Sequence, residues 1–212
     1  VEDKDMQKAV AKTLLEVRSI SFGLNKEFYS NQGVRLPIFC DNRKILDHPK
    51  LRKTLGKWIG NLIKQYYPNV EKIVGTAVAG ISFAVLASEF LGLPMTYVWD
   101  SLDWNKDNFN EVCKPNTKVV IVDDVIYSGN TIINIKKKLK ECNCDVLGAV
   151  AIFSYDFEET KSRLAQEGID YHTLTDFDTL TLISMQTGKI TYPEYLKLQK
   201  FKDNPNSSEW LK

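Results

Sequence analysis

Apolar residues recur along the chain at two periods, and the points where the period changes divide it into elements. Met6, Val10, Leu14 and Val17 stand four, four and three apart, with Lys4, Lys8 and Lys12 on other faces, which predicts an amphipathic helix over 3–18. Between Ile20 and Ile45 the pattern becomes short and extended. Gly33 marks a turn there and Pro37 forces its predecessor extended, so two short strands or a hairpin-like flap are expected. Asp47, with Pro49 two residues on, starts a long helix to about Tyr67, with Leu51, Leu55, Ile59, Leu62 and Tyr66 on one stripe and Pro68 as the stop. A strand over 70–74, a small-residue turn, a helix over 81–91 closed by Gly92 and a strand over 95–99 follow. Residues 100–117 show no clear period, and a segment this long inside a compact domain usually carries function. Val119-Val120-Ile121-Val122 is a buried β-branched strand ended by Asp123-Asp124, and Ile132, Ile135 and Leu139 begin a helix running to Glu141. Strands over 146–153 and 170–174, a helix over 157–166 closed by Gly168, and helices near 176–185 and 192–201 complete the chain. Five mostly apolar strands alternating with helices predict an α/β fold with a five-stranded parallel sheet flanked by helices.

The stretch from Val119 to Thr131 is where pattern, charge and turn chemistry change together. A strand, an acidic tip, a Ser128-Gly129-Asn130-Thr131 loop and a helix N-terminus follow one another, and such a loop aims N–H groups and hydroxyls at one spot where the helix dipole favours an anion. Carboxylates beside a phosphate would repel it, so Asp123 and Asp124 are assigned to sugar hydroxyls or to a metal-bound part of the ligand. A phosphorylated sugar is implied. The same residue types also serve purely as caps, and Val-Asp-Asp at a strand end occurs in receiver domains, although there the strand lies near the start of the chain. Gly75-Thr76-Ala77-Val78-Ala79-Gly80 is a second candidate anion cradle; small residues equally let a helix pack tightly on a sheet.

Composition narrows the class. A chain of 212 residues, 43% hydrophobic and 26% charged, is expected to form a single domain spanning 1–212. Its formal net charge of +1 supplies no field for a nucleic-acid backbone, so no nucleic-acid partner is expected. Cys40 and Cys113 stand alone, Cys142 and Cys144 are separated by one residue, and neither histidine lies close in sequence, which reads as reduced thiols in a cytoplasm rather than a zinc site. No apolar run is long enough for a membrane span and no signal pattern opens the chain, so no membrane partner is expected.

The stretch 119–131 resembles the ribose-phosphate motif of the type I phosphoribosyltransferases. Gly33-Val34-Arg35-Leu36-Pro37-Ile38-Phe39-Cys40-Asp41-Asn42-Arg43 is similar to the segment particular to the orotate branch, and the order of segments from Phe28 to Trp210 follows that branch, including Ala151-Ile152-Phe153-Ser154-Tyr155 and the terminal Trp210. The resemblance implies a small N-terminal hood, mainly 20–45, and C-terminal helices and a tail over 175–212. It implies transfer of ribose 5-phosphate from phosphoribosyl pyrophosphate to orotate, with Mg²⁺ held through the pyrophosphate and not directly by the protein. It implies a homodimer in pyrimidine nucleotide biosynthesis. By the same resemblance Asp123, Asp124, Val125, Ile126, Tyr127, Ser128, Gly129, Asn130 and Thr131 bind phosphoribosyl pyrophosphate, and Thr76, Ala77, Val78, Ala79 and Gly80 bind its pyrophosphate. Arg35, Phe39 and Tyr127 face orotate, and Asp123, Asp124 and Lys106 are the catalytic set. The chain departs from the pattern at Leu36, Val78 and Tyr127. It departs again where Trp99, Asp103 and Asn105 replace an Arg, a Lys and a His of the family's mobile basic loop, leaving Lys106 as the nearby cation. Two expectations follow: an orotate phosphoribosyltransferase, its activity reduced if the loop is degraded, or a protein of that fold that binds phosphoribosyl pyrophosphate or a nucleotide with lost or redirected catalysis.

Overall fold

The computed structural model describes residues 4–24, 28–29, 35–100 and 113–211. Helix α1 (Lys4–Glu16) is followed by four short strands, β1 (Ile20–Phe22), β2 (Phe28–Tyr29), β3 (Arg35–Leu36) and β4 (Ile38–Cys40). These pair antiparallel as β1 with β4 and β2 with β3, so the expected flap is built from two small two-stranded sheets. A 3-10 helix (Asn42–Asp47), capped by the Asp41 side chain, leads into α2 (Pro49–Tyr66). Asp47 was expected to start that helix. It ends the 3-10 turn instead, because Asp41 has already capped the chain, and α2 starts at Pro49 with no side-chain cap.

The remaining elements alternate: β5 (Lys72–Thr76), α3 (Ala79–Leu91), β6 (Met95–Val98), β7 (Lys118–Ile126), α4 (Asn130–Glu141), β8 (Asp145–Ser154), α5 (Glu158–Gln166), β9 (Tyr171–Asp176), α6 (Phe177–Gln186) and α7 (Tyr192–Asp203). Their strands form one parallel sheet in the order β6-β5-β7-β8-β9. Both faces of it are covered, which explains the near-continuous apolar strands. On β7, Val120 and Val122 join a core containing Leu14, Ile59, Phe83, Phe177 and Phe201, while Val119 and Ile121 face the opposite core of Ile132, Ile135, Leu139 and Leu164. Two expected boundaries shift. β7 continues through the two aspartates to Ile126, because β8 extends to pair Val125 with Phe153 and Ile126 with Ser154. Thr76 belongs to β5 and not to the turn, which shrinks to Ala77-Val78.

The sheet order carries a functional consequence. The chain leaves β5 toward β6 on one side and returns to β7 on the other, so β5 and β7 flank a topological switch point, the crevice where open α/β sheets bind ligands at the carboxyl ends of their strands. Both candidate cradles hang from these two strands. The tail also docks: Trp210 is 3% exposed and meets Phe201 edge-on at 5.9 Å.

Candidate active site

Asp123 is 7% exposed and held from two sides. The Thr76 hydroxyl donates to its Oδ1 at 2.5 Å and the Asp124 N–H to the same oxygen at 2.9 Å. The side-chain amide of Asn42, itself fully buried, donates to the Asp124 carbonyl at 3.0 Å and so ties the hood to the carboxylate pair. Burial pushes both acids up; for Asp123 the charge of Asp124 adds to this, against the lowering effect of the Thr76 and Asp124 donors. Two adjacent carboxylates in a half-dry crevice are costly alone and favoured once a positive centre or hydroxyl donors face them.

Five residues beyond Asp124, the loop turns into α4 through Gly129, whose φ of 74° lies in the left-handed region. Gly129 at the N-cap has no side chain to offer, and Ser128 Oγ accepts from the Asn130 N–H at 3.4 Å; the start of the helix borders a cavity of about 80 Å³ lined by Asp123 and residues Val125–Ile132. Val125 and Ile126 are strand residues, and Ile126 is buried at 1% exposure, so they line this cavity from within the strand end while Ser128–Thr131 form its bend.

The outer side of the loop is latched by α5. The Thr160 hydroxyl donates to the Tyr127 carbonyl at 2.7 Å, Arg163 Nη1 donates to the Ser128 carbonyl at 3.3 Å, and Arg163 Nη2 donates to Asn130 Oδ1. Leu164 lies under Gly129, where an added Cβ would meet its Cγ at 3.1 Å. Loop carbonyls turned toward an anion would repel it. By holding two of them outward, α5 leaves the N–H groups to the cavity.

The second cradle abuts the first. Ala77 N–H donates to the Val98 carbonyl at 3.0 Å, anchoring the turn to β6, and the Ala77–Val78 peptide is cis. At Gly80 an added Cβ would lie 2.2 Å from Thr76 Oγ1 and 2.7 Å from the Val122 carbonyl. Only glycine lets α3 begin so close to β7. Gly80→Ala is expected to destabilise the protein by about 1–3 kcal/mol, because the backbone carbonyl cannot yield; an unchanged denaturant midpoint would refute this account of the contact.

The expected hood residues are placed less directly. The guanidinium of Arg35 lies 5.8 Å from the ring centre of Trp210. Phe39 is 40% exposed and faces Phe28 at 6.0 Å between ring centres. Tyr127 packs edge-on against Tyr155 and Phe157, at 4.9 and 5.3 Å. Tyr155 donates to the Ile38 carbonyl at 3.2 Å, which joins β4 to the aromatic floor beneath Tyr127. Lys106, with Asp103 and Asn105, lies outside the described residues.

Residues 41–181 match a family profile described as the phosphoribosyl transferase domain. The orotate phosphoribosyltransferase of Bacillus cytotoxicus is 38% identical over 97% of this chain and 99% of its own, and that of Bacillus subtilis 34% identical over 98% and 97%. The chain belongs to the orotate phosphoribosyltransferase family. Among solved structures, the orotate phosphoribosyltransferase of Aeropyrum pernix has a TM-score of 0.69 at 22% identity, covering 84% of this chain and 99% of that one. The UMP synthase of Leishmania donovani has a TM-score of 0.79 at 21% identity, covering 92% of this chain and 42% of that one. At such identities these structures share the fold.

For an orotate phosphoribosyltransferase of this kind, sequence reasoning finds the two loops and misses the side chains that set their shape. Asn42 carries a signal in hindsight, an amide between Asp41 and Arg43 in a segment of apolar strands. Thr160 and Arg163 carry none, since polar residues on an amphipathic helix ordinarily mark a solvated face.

Proposed function

We propose that this chain transfers ribose 5-phosphate from phosphoribosyl pyrophosphate to a ring nitrogen of orotate, forming orotidine 5′-phosphate and pyrophosphate. The observation that carries the reading is the pair of buried Asp123 and half-buried Asp124 set between two backbone cradles at the β5/β7 switch point. In the reaction the bond from the anomeric carbon to pyrophosphate breaks as the bond to the base nitrogen forms, and positive charge develops on the sugar. Asp123 and Asp124 orient the ribose hydroxyls and stabilise that charge. Ser128–Thr131 and the start of α4 hold the 5′-phosphate. Thr76–Gly80 receives the pyrophosphate, and Tyr127 with Phe39 borders the base. Among the described residues no cluster of three or more acidic, His or Cys side chains could hold a metal, and the nearby donor set is two carboxylates, one of them already accepting two hydrogen bonds. Mg²⁺ bound through pyrophosphate oxygens fits this donor set, and when bound it would neutralise charge building on the leaving group.

The deciding assay is loss of orotate with phosphoribosyl pyrophosphate and Mg²⁺; no turnover and no binding of phosphoribosyl pyrophosphate would sink the reading. The 212 residues act as one catalytic domain in this proposal, in the cytoplasm. Val78, Val85, Tyr97 and Trp99, 75%, 44%, 41% and 52% exposed on and beside the β5–β6 edge, would be covered in a homodimer; light scattering gives the mass directly.

Arg35 is assigned to the orotate carboxylate. Arg35→Ala is expected to weaken orotate about tenfold or more and uracil much less, since a charged pair is lost only with orotate. Equal losses for both bases would assign Arg35 to the docking of Trp210.

A further inference from the structure

Cys113 and Cys144 come from opposite ends of the strand, loop and helix that carry Asp123–Thr131. Cys113 precedes β7, and Cys144 lies in the turn from α4 to β8. Their Sγ atoms are 3.1 Å apart, and the two residues are 1% and 6% exposed. The backbones on either side are laced together: Asn116 N–H donates to the Asn143 carbonyl at 2.7 Å and Asp145 N–H to the Thr117 carbonyl at 2.9 Å. The thiols are thus held face to face by the backbone. A disulfide places its sulfurs about 2.05 Å apart, so closing the bond requires about an ångström of movement, which side-chain rotation supplies. Cys142, also buried, belongs to the same junction, and Cys40 belongs to the hood.

We propose that Cys113 and Cys144 form a reversible site of oxidation, a disulfide that closes residues 113–144 into a ring around the Asp123–Thr131 site. This inference does not depend on the transferase reading. With hydrogen peroxide as oxidant, one thiol loses its proton and attacks a peroxide oxygen. An S–O bond forms, the O–O bond breaks, and the departing hydroxide takes up the proton as water. The second thiol then attacks the sulfenic sulfur: the S–S bond forms, the S–O bond breaks, and its proton leaves with that hydroxide as a second water. Two thiols are oxidised, one peroxide is reduced, and two waters result. Burial, with the neighbouring Cys113, pushes the Cys144 thiol up to about 12, which keeps the first step slow at neutral pH and makes it faster as pH rises. The second step is rapid, because the resolving sulfur is already in contact.

The full-length protein is treated with excess hydrogen peroxide, its remaining thiols are blocked with iodoacetamide, and its peptides are mapped. Peptides containing Cys113 and Cys144 should be joined while Cys40 and Cys142 are alkylated, and dithiothreitol should reverse the link. The oxidised form should melt about 5–10 °C higher, as expected for closing a ring of this length. Cys142→Ala should leave the cross-link intact. A link through Cys142 or Cys40, sulfinic acid on Cys113 or Cys144 without a cross-link, or four alkylated thiols would each overturn the proposal. The map on the unmodified sequence decides even if a Cys113→Ser variant fails to fold.

Discussion

Asp123→Asn together with Asp124→Asn should lower turnover about 100- to 1,000-fold, the scale for loss of preorganised charge opposite a developing cation, and should raise the melting temperature of the ligand-free protein. The two effects have one origin. Burial and the neighbouring charge raise the Asp123 pKa above its ordinary 3.8 in the folded state. Between that value and the raised one the folded protein binds more protons than the unfolded chain, so stability falls as pH rises through this window and the penalty is complete above it. An amide in the same place has no charge to desolvate. The gain should be about 1–2 kcal/mol near pH 8, or roughly 2–8 °C, and should vanish below about pH 3, where the carboxyls are protonated in both states. Calorimetric melts across pH, with titration by phosphoribosyl pyrophosphate, test both halves. A variant that binds normally, or that melts lower at pH 8 than at pH 4 relative to the parent, would show that the pair serves the fold.

Arg163→Ala should raise the KM for phosphoribosyl pyrophosphate about 10- to 100-fold while leaving the KM for orotate, and kcat, within a few-fold. Arg163 makes no contact with the cavity it shapes; its donors hold the Ser128 carbonyl and the Asn130 side chain on the far side of the loop. A charged donor removed from such acceptors costs about 1.5–3 kcal/mol, and here that cost should appear as weaker binding because the freed carbonyl can turn toward the phosphate. Arg163→Lys, a single-point donor in place of a fork, should recover part of the loss. Unchanged KM for phosphoribosyl pyrophosphate with a lower melting temperature would reduce Arg163 to a packing role, whereas a fall confined to kcat would place it in the chemistry.

The residues that could be read in advance act through the backbone. Val119–Val122 announce a doubly buried strand because parallel sheets covered on both faces require apolar residues at every position, and Gly129 and Gly80 announce close turns because no other side chain fits there. Local pattern therefore reached the sheet, the two strand-to-helix turns and the helix boundaries to within a few residues. It placed the end of β7 four residues early, because Asp123-Asp124 look like a terminus when the β8 partner that carries the ladder on to Ile126 is not in view. Contacts between elements distant in sequence were out of reach for the same reason. Asn42 meets Asp124 across 82 positions and Arg163 meets Asn130 across 33, and no periodicity encodes either. The catalytic-loop expectation centred on Lys106 falls outside the described residues.

The two cradles are suspended from neighbouring strands whose register is fixed, Val74 opposite Ile121 and Gly75 opposite Val122. Adjacent strands in a sheet lie about 4.8 Å apart whatever side chains they carry, so the separation between the two strand-to-helix turns is set by the main chain. The crevice is in effect a caliper of constant jaw width. On the proposed assignment, a ligand with two anionic ends is measured by how far apart its chemistry holds them, and a compound with one phosphate, or with two separated by a longer spacer, could occupy only one jaw. On the proposed assignment of the turns, substitution can change what the pocket walls prefer without resetting that gauge, so a lineage could alter its acceptor while continuing to require the same donor.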